Sequence, residues 1–147
     1  MKLRVAWIGK TKEPAIQSLT DEYLKRLSHY ADAQGMALKD ESALQKLCSG
    51  NARSAKNTLV LLDSHGKQLS SEEFAKFLGD YLDRNPLPLV FAVGPANGFS
   101  DEIRQEANLL LSLGKMTVAH ELARVVLLEQ LYRAFTILKG HPYHLGH

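Results

Sequence analysis

Residues 57–63 read NTLVLLD, and residues 87–94 read LPLVFAVG. Both stretches are almost entirely apolar, which is typical of strands covered on both faces in a parallel sheet. Two further stretches, LRVAWIG at residues 3–9 and LLLSLGK at residues 109–115, have the same character. We therefore predict a sheet built mainly from these four strands.

Residues with helical spacing or capping patterns lie between the predicted strands. Ser70 and Glu73, for example, have the spacing of a capping box. Residues 64–67, SHGK, are predicted to turn the chain after the strand at 57–63. The remaining predicted elements are helices at 15–27, 42–47, 70–82 and 119–138, a short helix capped by Ser100, and a strand at 35–40. Alternating strands and helices favour a three-layer α/β sandwich with a mainly parallel sheet, in one domain spanning 1–147.

Composition narrows the class of protein only partly. The chain has 147 residues, of which 45% are hydrophobic, and a formal net charge of +2. This charge is too small to indicate a nucleic-acid-binding protein and does not exclude one. The single cysteine excludes an internal disulfide, and no apolar stretch approaches the ~18 residues needed to span a membrane. We therefore expect a soluble, cytoplasmic protein.

Three loops are the candidate ligand site, because open parallel sheets bind ligands at the carboxyl ends of their strands. They are residues 62–64, 94–99 and 113–118, and they should lie close together. The loop after residue 94 is bounded by Gly94 and Gly98 but matches neither a dinucleotide-binding nor a triphosphate-binding motif. The loop LGKMTV at 113–118 offers an apolar slot for an adenosine ring. The alternative is that both loops are ordinary connections.

The helix predicted at 119–138 has 13 apolar residues out of 20, too many for a single core-facing stripe. Such a helix lies deep in a core or packs against a partner chain. His120 and Arg124 share one helical face, and Glu129 and Arg133 share another. Both pairs can be surface pairs worth ~0.3–0.5 kcal/mol each. The alternative for His120 and Arg124 is a contact to an RNA phosphate or base.

The chain ends in KGHPYHLGH, residues 139–147, in which histidines recur every third residue. His141, His144 and His147 are candidate metal ligands, but Pro142 disfavours the helix that would align them. A frayed end is a second interpretation. The third is that Pro142 stiffens the tail so that Tyr143 and His144 enter an active site, where a tyrosine ring stacks on a base.

Taken together, these motifs resemble the RlmH family, small methyltransferases of the SPOUT class that modify a pseudouridine in 23S ribosomal RNA. The resemblance runs from LRVAWIGK at the start to PYH at the end. Its most specific part is the C-terminal third, with LSLGKMT, then His120-x-x-x-Arg124, then EQxYRAF, then PYH. Two positions depart from the usual family pattern, Pro95 in place of a second glycine and Ala119 in place of a proline.

The resemblance implies a fold, a cofactor and an oligomeric state. The fold is a SPOUT α/β domain with a C-terminal trefoil knot, an exception to the rule against knots. S-adenosylmethionine is the methyl donor, and no metal is required. The partners are a second copy of the chain and the ribosome with its 23S ribosomal RNA. The cofactor contacts implied by family match are Leu62, Gly94, Leu113, Gly114, Lys115, Met116, Thr117 and Val118.

The implied reaction transfers a methyl group to N3 of a pseudouridine in the assembled ribosome. Arg124 and Arg133 are expected to hold phosphates or stabilise the imide anion. His120 or His144 is expected to take the N3 proton, and the tail at 140–147 completes the site of the partner chain with Tyr143 and His144. The alternatives are a knotted methyltransferase for another RNA site and a ribosome-binding factor of the same fold without catalysis.

Overall fold

The protein is described here by a computed structural model that covers residues 1–50 and 56–146. Five strands form one sheet in the order β2-β1-β4-β3-β5, and every pairing is parallel. The strands are β1 (Lys2–Ile8), β2 (Asp32–Leu38), β3 (Thr58–Gln68), β4 (Leu89–Val93) and β5 (Leu109–Ser112). The helices are α1 (Pro14–Leu27), α2 (Glu41–Ser49), α3 (Ser71–Arg84), α4 (Asp101–Glu106) and α5 (His120–Lys139), followed by a 3-10 turn at His144–Gly146.

The predicted three-layer α/β sandwich is confirmed. The helices α1, α3 and α5 pack on one face of the sheet around Leu27, Leu78 and Leu127. The helices α2 and α4 cover the opposite face through Leu44 and Ile103. All five residues of β4 are buried, as their apolar sequence predicts, because this strand is covered from both sides.

The helix starts follow the predicted capping chemistry. The Ser70 hydroxyl accepts a hydrogen bond from the Glu73 backbone N–H, and the Glu73 carboxylate accepts one from the Ser70 N–H. Ser100 caps α4 in the same way through the backbone N–H of Ile103. Element boundaries differ from the sequence predictions by a few residues at most sites, as is usual where helix and strand ends fray.

The prediction that residues 64–67 turn the chain is wrong. β3 continues to Gln68, and an irregularity between Leu62 and Lys67 lets both halves of the strand pair with β5 near Leu111. Gly66 makes this possible, since a Cβ atom there would lie 2.6 Å from the backbone of Leu110. The bulged residues instead form part of the rim at the carboxyl end of the sheet.

β5 is shorter than predicted, ending at Ser112 rather than at residue 115. The Ser112 hydroxyl donates to the Gly114 carbonyl at 2.8 Å and accepts from the Gly114 N–H at 3.1 Å. Gly114 has φ +144°, a conformation that favours glycine. The chain therefore leaves the sheet sharply and turns towards α5. In the part of the chain that is described, no helix is long and apolar enough to cross a membrane.

We predict that Gly66→Ala lowers the free energy of unfolding by roughly 1–3 kcal/mol, because the new methyl group overpacks a rigid backbone. Chemical denaturation measures this directly. Gly79→Ala is the matched control: its Cβ would meet only the flexible end of Leu138, and alanine is the better helix former by about 1 kcal/mol. Equal stability of the Gly66→Ala variant and the wild type would contradict the close approach of the strands.

Candidate active site

The carboxyl ends of three adjacent strands enclose a cavity of about 330 Å³. It is lined by the ends of β3, β4 and β5, by the loops that follow them, and by the start of α5. The three loops predicted to lie close together therefore do so. We call this space the strand-end cavity. Its lining residues include Leu62, Asp63, His65, Val93, Gly94, Phe99, Arg104, Leu113, Gly114, Met116, Thr117, Val118 and His120.

The predicted cofactor contacts largely coincide with this lining. All eight except Lys115 line the strand-end cavity, and Lys115 lies exposed on the same loop. Met116 is 85% exposed, which leaves an apolar side chain at the mouth of the cavity. Gly94 is required by close packing, because a Cβ atom there would meet the Phe99 ring at 2.9 Å.

Pro95 fits the loop between β4 and α4 without strain. Its carbonyl accepts a hydrogen bond from the Gly98 N–H at 2.9 Å, closing a tight turn. Gly98 has φ +79°, in open space. Proline has no N–H to donate, and this turn requires none at Pro95. The departure from the usual family pattern is therefore compatible with a regular turn.

An ion pair borders the cavity beside the end of β3. Arg104 Nε lies 2.7 Å from Asp63 Oδ2, and the Asp63 carboxylate is only 10% exposed. The backbone N–H of His65 donates to Asp63 Oδ1 at 2.8 Å. These contacts fix the bulged part of β3 against α4. Sequence reasoning missed Arg104 and His65, because their proximity depends on the bulge and on the packing of α4.

His120 lines the strand-end cavity at the first residue of α5. It is half-buried, and within residues 1–50 and 56–146 its ring nitrogens make no hydrogen bond. Its face-sharing partner Arg124 does not line the cavity. His120 is thus the one predicted catalytic side chain that this chain places at the cavity in its described part.

Arg124 is buried, with 2% of its surface exposed, so the prediction of a surface pair with His120 is wrong. Its guanidinium lies 4.0 Å above the centre of the Trp7 ring, in the geometry of a cation–π contact. Its Nη1 donates to the Thr11 hydroxyl at 2.8 Å and to the Thr20 hydroxyl at 3.4 Å. Burial lowers the pKa of Arg124. These contacts join α5 to α1 and to the end of β1.

The remaining predicted catalytic residues, Arg133, Tyr143 and His144, group with Glu129 towards the end of α5. We call these four residues the tail cluster. Arg133 makes two hydrogen bonds to Glu129 Oε1, at 3.1 Å from Nε and 2.6 Å from Nη2. The Tyr143 hydroxyl donates to the same oxygen at 3.1 Å. The predicted pairing of Glu129 with Arg133 is confirmed, and Glu129 in addition anchors the tail.

The hydrogen bonds of His144 define the tautomer of its ring. Arg133 Nη1 lies 2.8 Å from His144 Nδ1, and since arginine only donates, Nδ1 is the acceptor. The proton is therefore on Nε2, which donates to Glu72 Oε1 at 2.8 Å. This hydrogen bond is the largest cause that lowers the pKa of the exposed Glu72 carboxyl.

Tyr143 packs in a partly buried aromatic setting. Its ring lies edge-on to Tyr132, with 4.8 Å between ring centres, and the Arg133 guanidinium lies 5.1 Å from its centre. Burial is the largest cause that raises the pKa of Tyr143, followed by its hydrogen bond to Tyr23. The hydroxyl therefore stays protonated at neutral pH. The tail up to His144 is a packed segment, and the interpretation of a frayed end does not fit it.

The histidines of the tail do not converge on one point. His141 Nδ1 pairs with the Tyr30 hydroxyl, whereas His144 lies between Arg133 and Glu72. His147 lies outside the described residues. Among residues 1–50 and 56–146, no group of three histidine, cysteine or acidic side chains is placed to hold a metal ion.

Comparison with known proteins identifies the class. The family model described as "Predicted SPOUT methyltransferase" matches residues 1–144. A protein of Koribacter versatilis named Ribosomal RNA large subunit methyltransferase H is 58% identical over 147 residues, covering all of both chains. A protein of the same name from Geobacter metallireducens is 42% identical over 157 aligned positions, covering 98% of this chain and 99% of that one. The chain belongs to the SPOUT methyltransferases, and within them to the RlmH family that carries this name.

Solved structures with low sequence identity have the same fold. A "probable methylase family protein" from Haemophilus influenzae Rd KW20 matches with a TM-score of 0.59 at 12% identity, covering 96% of this chain and 69% of that one. The Ribosomal RNA small subunit methyltransferase E of Neisseria gonorrhoeae, solved with S-adenosyl methionine, matches with a TM-score of 0.51 at 17% identity, covering 94% and 66%.

We predict that Arg124→Ala lowers the free energy of unfolding by roughly 2–4 kcal/mol, because it leaves a cavity beside Trp7 and removes the donor to the Thr11 and Thr20 hydroxyls. His120→Ala, at the cavity surface, should change it by less than about 0.5 kcal/mol. Urea denaturation of both variants makes the comparison. An Arg124→Ala variant as stable as the wild type would show that Arg124 is not needed for folding.

Proposed function

We propose that this protein is an S-adenosylmethionine-dependent methyltransferase that acts in the cytoplasm on N3 of a pseudouridine in 23S ribosomal RNA of the assembled ribosome. The proposal rests on relatives named for large-subunit ribosomal RNA that match along their whole length. The observation that carries it to this chain is the strand-end cavity, whose lining includes all but one of the family's cofactor positions.

The strand-end cavity fits S-adenosylmethionine in size and chemistry. Its volume of about 330 Å³ lies within the usual range for small-molecule sites. Leu62, Leu113 and Val118 offer an apolar slot for an adenine ring, and the loop backbone at 113–118 offers polar groups for its edge. When bound, S-adenosylmethionine supplies a methyl group that its sulfonium has already activated. This reaction therefore needs no metal to activate the methyl group.

The site is proposed to require two copies of the chain, because α5 keeps its two halves apart. His120 begins α5, and Arg133 lies 13 positions further along; at 1.5 Å per residue this is about 20 Å. A two-fold dimer places the same surface of each copy against its partner. The start of one α5 can then face the end of the other, so that Tyr143 and His144 of one chain complete the cavity of its partner.

Exposed apolar side chains support such a dimer. Leu122 and Val126, on one face of α5, are 52% and 40% exposed, and Leu19 on α1 is 43% exposed. Val118, at the cavity mouth, is 39% exposed. Exposed apolar side chains that form a patch mark interaction sites in proteins. Leu122 and Val126 lie along α5 between His120 at the cavity and Arg133 in the tail cluster, where the proposed partner would pack.

The trefoil knot is part of the same proposal. The close approach of β3 to β5 at Gly66 and the sharp exit from β5 at Gly114 support it. In the proposed arrangement, the segment 113–118 is both a threaded part of the fold and the wall of the cofactor cavity. Its rigidity would then come from the covalent path of the chain as well as from hydrogen bonds such as those of Ser112.

His120 is proposed to take the proton from N3 of the pseudouridine. The imide N–H must lose its proton as the nitrogen lone pair attacks the methyl carbon and the carbon–sulfur bond breaks towards sulfur. His120 lies at the cavity with both ring nitrogens available in the described part of the chain. His144, in contrast, accepts from Arg133 and donates to Glu72, so it would first have to leave these partners.

Arg133 and Tyr143 are proposed to position the base and stabilise its charge. Glu129 holds both side chains at one oxygen, which limits their motion before the acceptor arrives. The guanidinium can stabilise negative charge that develops on the imide oxygens. The protonated Tyr143 hydroxyl can donate to the base. Arg124, buried against Trp7, is proposed to act through the position of His120 rather than by touching RNA.

We predict that a chain ending at Gly140 binds S-adenosylmethionine as the full-length protein does, because the tail does not line the strand-end cavity. The same truncation should lower methyl transfer to ribosomes by at least a hundredfold, as expected for loss of positioning groups. Calorimetry and transfer of a labelled methyl group measure the two effects. Tyr143→Phe is the matched control. It keeps the packed ring and loses the hydroxyl, so it separates the packing of the tail from the role of the hydroxyl.

The two measurements together separate the candidate functions. Absence of cofactor binding by both chains would favour a ribosome-binding factor without catalysis. Binding by both chains with undiminished methyl transfer by the truncated chain would contradict a role for the tail.

A further inference from the structure

The loop between β1 and α1, residues 9–13, reads GKTKE and is not used by the proposed active site. Lys10 and Lys12 are exposed, and neither forms an ion pair within the described residues. The loop follows the carboxyl end of β1, at the same edge of the sheet as the strand-end cavity. Its neighbour across the sheet is β4, whose own loop lines the cavity.

Two residues from the first turns of α5 hold this loop in place. Glu121 Oε1 accepts the backbone N–H of Lys12 at 2.8 Å and that of Glu13 at 3.5 Å. Arg124 Nη1 donates to the hydroxyl of Thr11 at 2.8 Å. Glu13 is the N-cap of α1 and makes no side-chain cap of its own, and Glu121 accepts N–H groups of the loop immediately before that helix.

This attachment fixes the lysines relative to the reacting groups. Glu121 directly follows His120, which lines the strand-end cavity. The backbone of Lys12 is therefore hydrogen-bonded to the residue next to the proposed base. Lys10 lies two positions before Lys12 in the chain. Lys115 is exposed in the loop before α5, whose neighbouring residues Gly114 and Met116 line the cavity. We call Lys10, Lys12 and Lys115 the lysine rim.

The carboxylates near the lysine rim are mostly engaged elsewhere. Glu121 accepts backbone N–H groups of the loop, and Asp63 pairs with Arg104 at the opposite wall of the cavity. Glu13 is exposed and is the acidic side chain that remains on the loop itself. Two loops at this edge of the sheet thus carry exposed lysines, although the net charge of the whole chain is only +2.

We propose that the lysine rim binds phosphate groups of the substrate RNA on either side of the nucleotide that enters the cavity. Phosphate contacts fix the register of a nucleic acid without reading its sequence, which suits an enzyme that modifies one base within a large RNA. The inference rests on the proposed function, and it assigns to the loop at 9–13 a role in substrate positioning.

The test uses the full-length double variant Lys10→Gln/Lys12→Gln. The backbone N–H of Lys12 remains, so the attachment to Glu121 is retained. Equilibrium binding to large ribosomal subunits is measured over a range of salt concentrations. We expect the variant to bind roughly tenfold more weakly, and the slope of log affinity against log salt to fall by about two, close to one per lost phosphate contact.

Lys2→Gln/Lys46→Gln is the matched control, because it removes the same charge at the amino end of β1 and on α2, away from the cavity. It should bind as the wild type does. Equal binding and equal salt slope for the Lys10→Gln/Lys12→Gln variant, or an equal loss in the control, would overturn the lysine rim. Calorimetry with S-adenosylmethionine is run on the same samples. If the wild-type protein does not bind S-adenosylmethionine, this contradicts the proposed function rather than the lysine rim.

Discussion

The length of α5 is the constraint on which the arrangement of the site depends. This helix joins the strand-end cavity to the tail cluster, and His120, its first residue, lies about 20 Å along the helix from Arg133. A rigid helix cannot fold back to bring its ends together. The cofactor positions and the tail are therefore separate halves within one chain. A second copy is the simplest way to join them, and the apolar side chains along α5 give that copy a surface to cover.

One glutamate in each half of the site accepts hydrogen bonds from several donors at once. Glu129 fixes Arg133 and Tyr143 at the end of α5, and Glu121 fixes the loop after β1 at its start. The hydrogen bond from the Lys12 N–H is the largest cause that lowers the pKa of the Glu121 carboxyl. Arg124 lies between them in the sequence and supports the first half from beneath, through Trp7 and two threonines.

The strands, the main helices and the location of the cavity could be predicted from the sequence. Buried parallel strands are continuous apolar runs, and their carboxyl ends share one edge of a sheet, so the loops at 62–64, 94–99 and 113–118 follow from topology alone. The course of residues 64–67 could not be predicted in this way. The residue types of this segment favour a turn, but β3 continues through it to Gln68, because Gly66 permits close contact with β5.

Side-chain environments on α5 were harder to predict than the helix itself. Spacing of four residues places Arg124 on the face of His120, yet spacing does not tell which neighbour covers that face. Trp7 and Thr20 come from elements far away in the sequence, and together they bury the guanidinium. The same limit applies to His144, whose partner Glu72 lies at the start of α3. Contacts of this kind arise only once the layers have assembled.

The most direct test of the two-chain site is complementation between two inactive chains. One carries Thr117→Trp, chosen to fill the strand-end cavity and checked for loss of S-adenosylmethionine binding; the other ends at Gly140. Each alone should fail to methylate ribosomes. Mixed after unfolding and refolding together, they should regain about a quarter of wild-type activity, because half of the dimers are mixed and each has one complete site. No recovery in mixtures shown to contain mixed dimers would contradict a site built from two chains.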